Sequence, residues 1–456
     1  MQRAARWLVS YSPGPVRRLW LRIRSSPIGH RVVKGAFWMV SGNVIARLLG
    51  LVGSILAARI LGKVSFGELG TIQSTVGLFA VFAGFGIGIT ATKYVAEFRE
   101  IQPKRCGRVI GFSLAAALLG GALASLGLLS FSDWLAAHTL ADPALAPELR
   151  IGAAIVIFGS LQGAYQGALS GFEAFKDVCL VNLISSLISV PLLVLGALWD
   201  GLAGAVWALV LQMVLGCIAG HVALLKQAAK ARVPISLGVH PDEWAMLWRF
   251  TLPAFLSTML ATPAGWFSRT LLVNQPGGYG ESALVSAANQ WMNLVNFLPW
   301  TIGGVLVPIF ANLYASGQRD AFMKLLRRNL LLNGVVAAAI ALPLAILSPI
   351  IMGLYGHGFQ TRNGILIFVV TMFCGIVVSI NNLYSRTMQS AGRAWIDLTS
   401  NGIWAAMLVA GSLVLIHPYK GLGSMEAYAT AGMAQFLGQI FLMHWLFYRK
   451  TSKSGH

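Results

Sequence analysis

At 456 residues, with 56% hydrophobic and only 11% charged side chains and a mean hydropathy of +0.71, the chain carries more apolar surface than one soluble core can bury. Its net charge of +19 and pI near 10.3 would suggest a nucleic-acid partner in a soluble protein. No soluble module is left to carry a basic groove, so nucleic acid is excluded.

Residues 1–35 form a basic segment in which Arg3, Arg6, Arg17, Arg18, Arg22, Arg24 and Arg31 alternate with Trp7, Leu8, Trp20 and Leu21. Its apolar run is too short and too interrupted for a cleaved signal. Two readings stay open: a segment lying on the anionic cytoplasmic leaflet, and a disordered tail that only fixes topology. About twelve apolar runs follow, each long enough to cross roughly 30 Å of hydrocarbon. They lie near 36–60, 69–92, 107–130, 151–170, 178–198, 202–225, 250–273, 282–308, 329–352, 364–386, 394–416 and 427–448. With both termini cytoplasmic, most of the 34 Lys and Arg fall in inner gaps and tails, and only Arg59, at the outer end of its span, with Lys63, Arg150, Arg362 and Lys420 on the outer side. That asymmetry is the positive-inside rule.

The gaps are short. The longest outer one, near 131–150, holds Asp133, His138, Asp142 and Glu148. It is too small for the exposed domain of a membrane glycosyltransferase, and a solvated loop is the simpler reading. Gly84, Gly86 and Gly88 lack the strand and helix context of a nucleotide loop, so close helix packing accounts for them better. No Gly-Lys-Ser/Thr loop is present, so any transport must draw on a gradient, the membrane potential or the substrate's own concentration difference. Cys106, Cys179, Cys217 and Cys374 have neither CxxC nor metal spacing, so no disulfide, metal or cofactor is expected.

One pattern occurs twice. Arg59, Leu61, Gly67 and Gly70 repeat as Arg269, Leu271, Gly277 and Gly280, in the spacing R-x-L-x5-G-x-x-G. It predicts an all-α polytopic membrane protein made of two six-helix bundles, 36–225 and 245–448, related by a pseudo-two-fold axis along the membrane normal. A cytoplasmic linker, 226–244, joins them, and 449–456 is a cytoplasmic tail.

The spans carry arginines and no mid-membrane carboxylate. Glu68, Asp177 and Asp397 lie near helix ends, so no proton relay is expected. Arg47 sits about 12 residues from the inner edge of its span, roughly 18 Å deep at 1.5 Å per residue. That is too deep to snorkel, so it faces a cavity or bonds to helix carbonyls. Arg59 and Arg269 are further candidates for a cationic cavity, with headgroup anchoring as their other reading. Lys34, Arg249 and Arg386 are candidate cations at the inner entrance, where topology alone would also place them. Asn289, Asn293 and Asn296 share one helix face, as do Gln162 and Gln166. Amides suit glycan hydroxyls and suit interhelical bonding equally.

Further stretches carry a family likeness: Lys34-Gly35-Ala36-Phe37-Trp38 with Gly42-Asn43, Leu56-Ala57-Ala58-Arg59-Ile60-Leu61-Gly62 with Phe66-Gly67, Gly171-Phe172-Glu173-Ala174-Phe175-Lys176, and Ala287-Ala288-Asn289-Gln290-Trp291 with Phe297-Leu298-Pro299. In order and spacing they resemble Wzx-type polysaccharide flippases of the multidrug/oligosaccharidyl-lipid/polysaccharide exporter superfamily. Ala83-Gly84-Phe85-Gly86 departs from that pattern, in which an acid is expected at the second position. The resemblance implies a MATE-like fold and flipping of a polyprenyl-pyrophosphate-linked oligosaccharide across a bacterial inner membrane by alternating access. It implies no enzyme activity and no cofactor. The implied partners are the lipid-linked oligosaccharide, membrane lipids, and a polysaccharide polymerase and glycosyltransferases. A lipid II-type flippase, a MATE-like small-molecule exporter and a non-transport scaffold are the alternatives. The cargo's two negative charges match guanidinium groups.

Overall fold

A computed structural model describes residues 27–84, 86–236, 259–392 and 394–448. All regular structure among them is helical. In chain order the helices are α1 (Pro27–Gly84), α2 (Ile87–Phe98), α3 (Pro103–Trp134), α4 (Ala146–Gly171), α5 (Phe175–Lys230), α6 (Ala261–Val273), α7 (Gly278–Ala315), α8 (Arg319–Ile346), α9 (Ser348–Leu354), α10 (Arg362–Ser390) and α11 (Ala394–Tyr448). Local chemistry sets several of the ends. Pro103 opens α3, where a missing N–H costs nothing, and Thr361 caps α10 by accepting from Gly364 N at 3.1 Å.

Seven stretches among the described residues are long and apolar enough to cross a membrane. Three of them, Gly42–Phe98, Phe175–Lys230 and Trp395–Met443, run to 57, 56 and 49 residues. Unbroken, each would measure roughly 75–85 Å, more than twice the hydrocarbon thickness. Each is broken. Gly62 (φ 79°) interrupts α1, Asp200 and Gly201 (φ 51°) interrupt α5, and Lys420 (φ 51°) interrupts α11. Glycine reaches the left-handed region without strain; Lys420 does so as a lysine, and its Nζ donates to Pro276 O at 2.9 Å. A count of seven therefore joins spans that the sequence reading separates. The run expected at 250–273 lies partly outside the described residues, as does the linker from 237 to 244, and Arg249 falls there too.

After two of these breaks the chain returns along itself. A Cβ on Gly196 would lie 2.3 Å from Gly204 O, and one on Gly204 2.0 Å from Gly196 O, so two backbones touch. Gly423 packs in the same way on Leu415 O. Between membrane helices no hydrophobic force operates, and close backbone approach through small residues takes its place. Gly204→Val is expected to push the α5 hairpin apart at a cost of about 1–3 kcal/mol, the usual penalty of overpacking. A thermal unfolding midpoint in detergent equal to wild type would show that the hairpin does not need this contact.

The packed interior extends from Ala57, Ala58 and Phe66 of α1 through Ala283 to Val295 of α7 and on to Phe368 of α10. A second cluster joins α1 to α3, α4 and α5. Large apolar side chains such as Leu123, Leu195 and Ile346 are exposed on the outside. In water that surface would aggregate; in lipid it is solvated.

Candidate functional site

The two copies of the repeated pattern touch each other. A Cβ on Gly67 would lie 1.9 Å from Tyr279 O, and one on Gly70 2.5 Å from Ser286 Oγ and 2.9 Å from Arg269 Nη1. Arg269 donates to Ser286 Oγ at 2.8 Å and Ser282 Oγ at 3.2 Å. Trp266 Nε1 donates to Thr75 Oγ1 at 3.1 Å, Tyr279 Oη to Leu140 O at 2.7 Å, and Asn274 Nδ2 to Thr139 O at 2.7 Å. Arg59, exposed, donates through Nε to Leu354 O at 2.6 Å. Arg59 and Arg269 thus help close one end of the molecule, tying α1 to α9 and α6 to α7.

Arg47 lies elsewhere. Its Nη1 donates to Asn293 O at 2.8 Å, and its guanidinium stands 5.0 Å from the centre of the Phe297 ring. Arg386 of α10 stands 4.6 Å from the centre of the Trp300 ring. Phe297 and Trp300 are three residues apart on α7, so the two rings are offset by roughly 4.5 Å along the helix. Two guanidinium groups from two other helices therefore stack on neighbouring rings of a single helix face. Asn296, on the same stretch, accepts from Ser379 Oγ of α10 at 2.6 Å. Arg47 and Arg386 are both partly buried, and neither pairs with a carboxylate among the described residues.

The remaining candidates are spread more widely. Gln166 donates to Asn182 Oδ1 at 3.0 Å, tying α4 to α5, and Gln162 packs beside Gly216. Asn289 is partly buried. Lys34 lies in α1, with its side chain outside the described set. Of the two readings of Arg47, the bond to a helix carbonyl is present, and nothing in the linear pattern marked Arg386 as standing against the same helix.

The glycines at 84, 86 and 88 divide in role. Gly88 and Gly167 are in backbone contact, the close packing expected of them. Gly86 (φ 70°) starts a new helix after a break. Gly84 faces open space, and all three, with Gly77, Gly159 and Gly163, line a cavity of about 550 Å³ among α1, α2, α4 and α5. Among the described residues no group of three or more His, Cys, Asp or Glu side chains forms a metal site.

A family model described as polysaccharide biosynthesis protein matches residues 32–314. The chain belongs to that family. The EPS I polysaccharide export inner membrane protein EpsE of Ralstonia nicotianae is 25% identical over 399 residues, covering 84% of this chain and 88% of that protein. The lipid III flippase of Escherichia coli is 25% identical over 250 residues, covering 54% and 58%. Among solved structures, the inward-facing conformation of a MATE family multidrug resistance transporter of the MOP superfamily matches with a TM-score of 0.75 at 17% identity, over 91% of this chain and 99% of that one. A MOP superfamily transporter from Pyrococcus furiosus, described as having reverse polarity of its binding pocket, matches with a TM-score of 0.65 at 16% identity, covering 91% and 96%. The fold is thus that of the MATE transporters, and the family places the chain among multi-pass membrane transport proteins rather than enzymes.

Proposed function

We propose that this protein flips a polyprenyl-pyrophosphate-linked oligosaccharide from the cytoplasmic to the outer leaflet of the inner membrane, for export of a cell-surface polysaccharide. The observation that carries this is the two guanidinium groups on α7, Arg47 over Phe297 and Arg386 over Trp300, with no carboxylate among the described residues paired to either. Two cations held on one helix suit a pyrophosphate, which carries about two negative charges and cannot cross hydrocarbon unpaired. Asn289, Asn293 and Asn296 run along the same helix as candidate glycan contacts. The names of the relatives, polysaccharide export protein and lipid III flippase, point in the same direction.

In this reading the three broken helices each count as two spans, giving about twelve in two six-helix bundles, 36–225 and 245–448, with both termini cytoplasmic. The closed end holding Arg59 and Arg269 is then the outer one, and alternating access opens it. Driving force remains available without a nucleotide site: moving two negative charges outward across 100 mV, inside negative, gains about 4.6 kcal/mol at about 2.3 per charge. A cation exporter would want acids where Arg47 and Arg386 stand, which disfavours a MATE-like drug cargo.

Native mass spectrometry of the protein extracted with its surrounding membrane tests the cargo. A bound polyprenyl-pyrophosphate oligosaccharide, depleted in Arg47→Ala, is expected. Only bulk phospholipid in both forms would remove the substrate claim.

A further inference from the structure

The loop joining α9 to α10, residues 355–361, is held from one side by α1. Arg59 Nε donates to the carbonyl of Leu354 just before it, 295 residues on in the chain. The Phe66 ring stands 6.2 Å from that of Tyr355 and 6.0 Å from that of Phe359. Lys63 also lies against the loop: a Cβ on Gly358 would meet its Cδ at 3.6 Å, and one on Gly280, at the start of α7, would meet its Cε at 3.5 Å. Side chains from both sides of the break at Gly62 thus clasp one distant loop.

The charges in this clasp are not neutralised. Outer cations are scarce by the positive-inside rule, and Arg59, Lys63, Arg150, Arg362 and Lys420 are the ones the sequence places there. Arg150 is paired with Asp133 at 2.6 Å, and Lys420 is turned to Pro276 O. Arg362 opens α10 at the far end of the clasped loop. Arg59 and Lys63 pair with no carboxylate among the described residues, and Lys63 makes no hydrogen bond there. Glu281, beside Gly280, accepts from Asn363 Nδ2 at 2.8 Å rather than pairing with Lys63. Arg59 meets only a neutral carbonyl, so the rest of its guanidinium fork has no partner among the described residues.

We propose that Arg59 and Lys63 form a second phosphoanion site, at the outer mouth, which takes the cargo's pyrophosphate as that end opens. The proposal rests on the flippase reading above and adds a station to it. Arg59 lies about 12 residues beyond Arg47 on α1, roughly 18 Å along the helix at 1.5 Å per residue. In the closed form its Nε is engaged by Leu354 O; once the end parts, that bond is gone and both cations can meet a phosphate in charge-assisted hydrogen bonds. An anion that binds the open form better than the closed one shifts the population toward open by that difference in affinity. The cargo's own charge therefore helps release the clasp that blocks its exit. An outer-leaflet phospholipid headgroup offers the same chemistry, and the experiment separates the two sources.

The test uses the full-length protein in right-side-out membrane vesicles, with inorganic pyrophosphate added outside. In a Thr71→Cys protein, labelling by an impermeant maleimide from outside reports opening, since Thr71 is 1% exposed and lies one turn beyond Gly67. Pyrophosphate should raise the labelling rate at least threefold over sodium chloride of matched ionic strength. The rise should persist when Arg47→Ala is added, which separates it from the site on α7, and should vanish with Lys63→Gln, which breaks no hydrogen bond. Arg59→Gln, which loses the bond to Leu354, should label strongly with no anion added. Absence of a rise in the Thr71→Cys protein, the result if phospholipid headgroups already fill the site, overturns the proposal. So does an equal rise in sodium chloride or in Lys63→Gln. A rise that Arg47→Ala removes would also overturn it and leave α7 as the place where the anion acts.

Discussion

Arg47→Ala is expected to lower polysaccharide export by about two orders of magnitude while leaving the amount of inserted protein unchanged. That is the equivalent of about 3 kcal/mol, within the range for truncating one partner of a desolvated, hydrogen-bonded charge pair. The competing account is structural, because Arg47 also donates to Asn293 O and so ties α1 to α7. Losing that bond alone should cost about 1.5–3 kcal/mol of stability, visible as a lower unfolding temperature. Arg386 separates the two accounts, since it touches α7 through Trp300 rather than through that carbonyl. If both arginines hold one pyrophosphate, Arg386→Ala should also lose export, and the double variant should lose less than the product of the two single effects. Arg47→Lys should recover only part of the activity, because an ammonium keeps the charge but not the fork. Full export by Arg47→Ala would end the claim that this cation meets the cargo.

The second large effect is expected at Gly67. Adding one methyl group there places carbon 1.9 Å from Tyr279 O, a backbone atom that no rotamer change can move. The closed end must then part by more than an ångström or stay open. Gly67→Ala should therefore trap the protein with that end open and stop turnover. Gly280→Ala serves as the control from the other copy of the pattern: its nearest neighbour would be Lys63 Cε at 3.5 Å, an ordinary contact at the tip of a flexible chain. Thr71, 1% exposed, provides the reporter. In a Thr71→Cys protein a membrane-impermeant maleimide applied from outside should label strongly when Gly67→Ala is added and weakly otherwise. Equal labelling with normal export would mean that this seal is not one of two alternating positions.

Much of the helical layout was legible because bilayer thickness is a strict ruler. Apolar length alone separates the spans on either side of Gly62, Gly201 and Lys420. The repeat of Arg59 and Arg269 was legible too, but its meaning was not. Identical spacing suggests equivalent roles, yet one arginine ends on the carbonyl of Leu354 and the other between Ser282 and Ser286. Side-chain partners come from whichever helix packs alongside, and no local pattern encodes that. The same reason hid the placing of Arg386 and Arg47, more than three hundred residues apart in the chain, on rings of one helix. Asp397 was set aside as a residue near a helix end. Distance along a helix measures depth in the bilayer, not burial among neighbouring helices, and this helix end is enclosed, with Asp397 only 2% exposed.

The contact between Gly67 and Tyr279 also has a bearing on synthesis. About 210 residues separate the two, so at roughly 5–20 residues per second the ribosome needs about 10–40 s to deliver the second after the first. Over that interval the first hairpin must stay in the bilayer with the glycine face of Gly67 and Gly70 bare and Arg47 without the carbonyl it will later meet. Until α7 arrives, a nascent chain in that condition holds a guanidinium and a bare backbone face that only the second half of the sequence can cover.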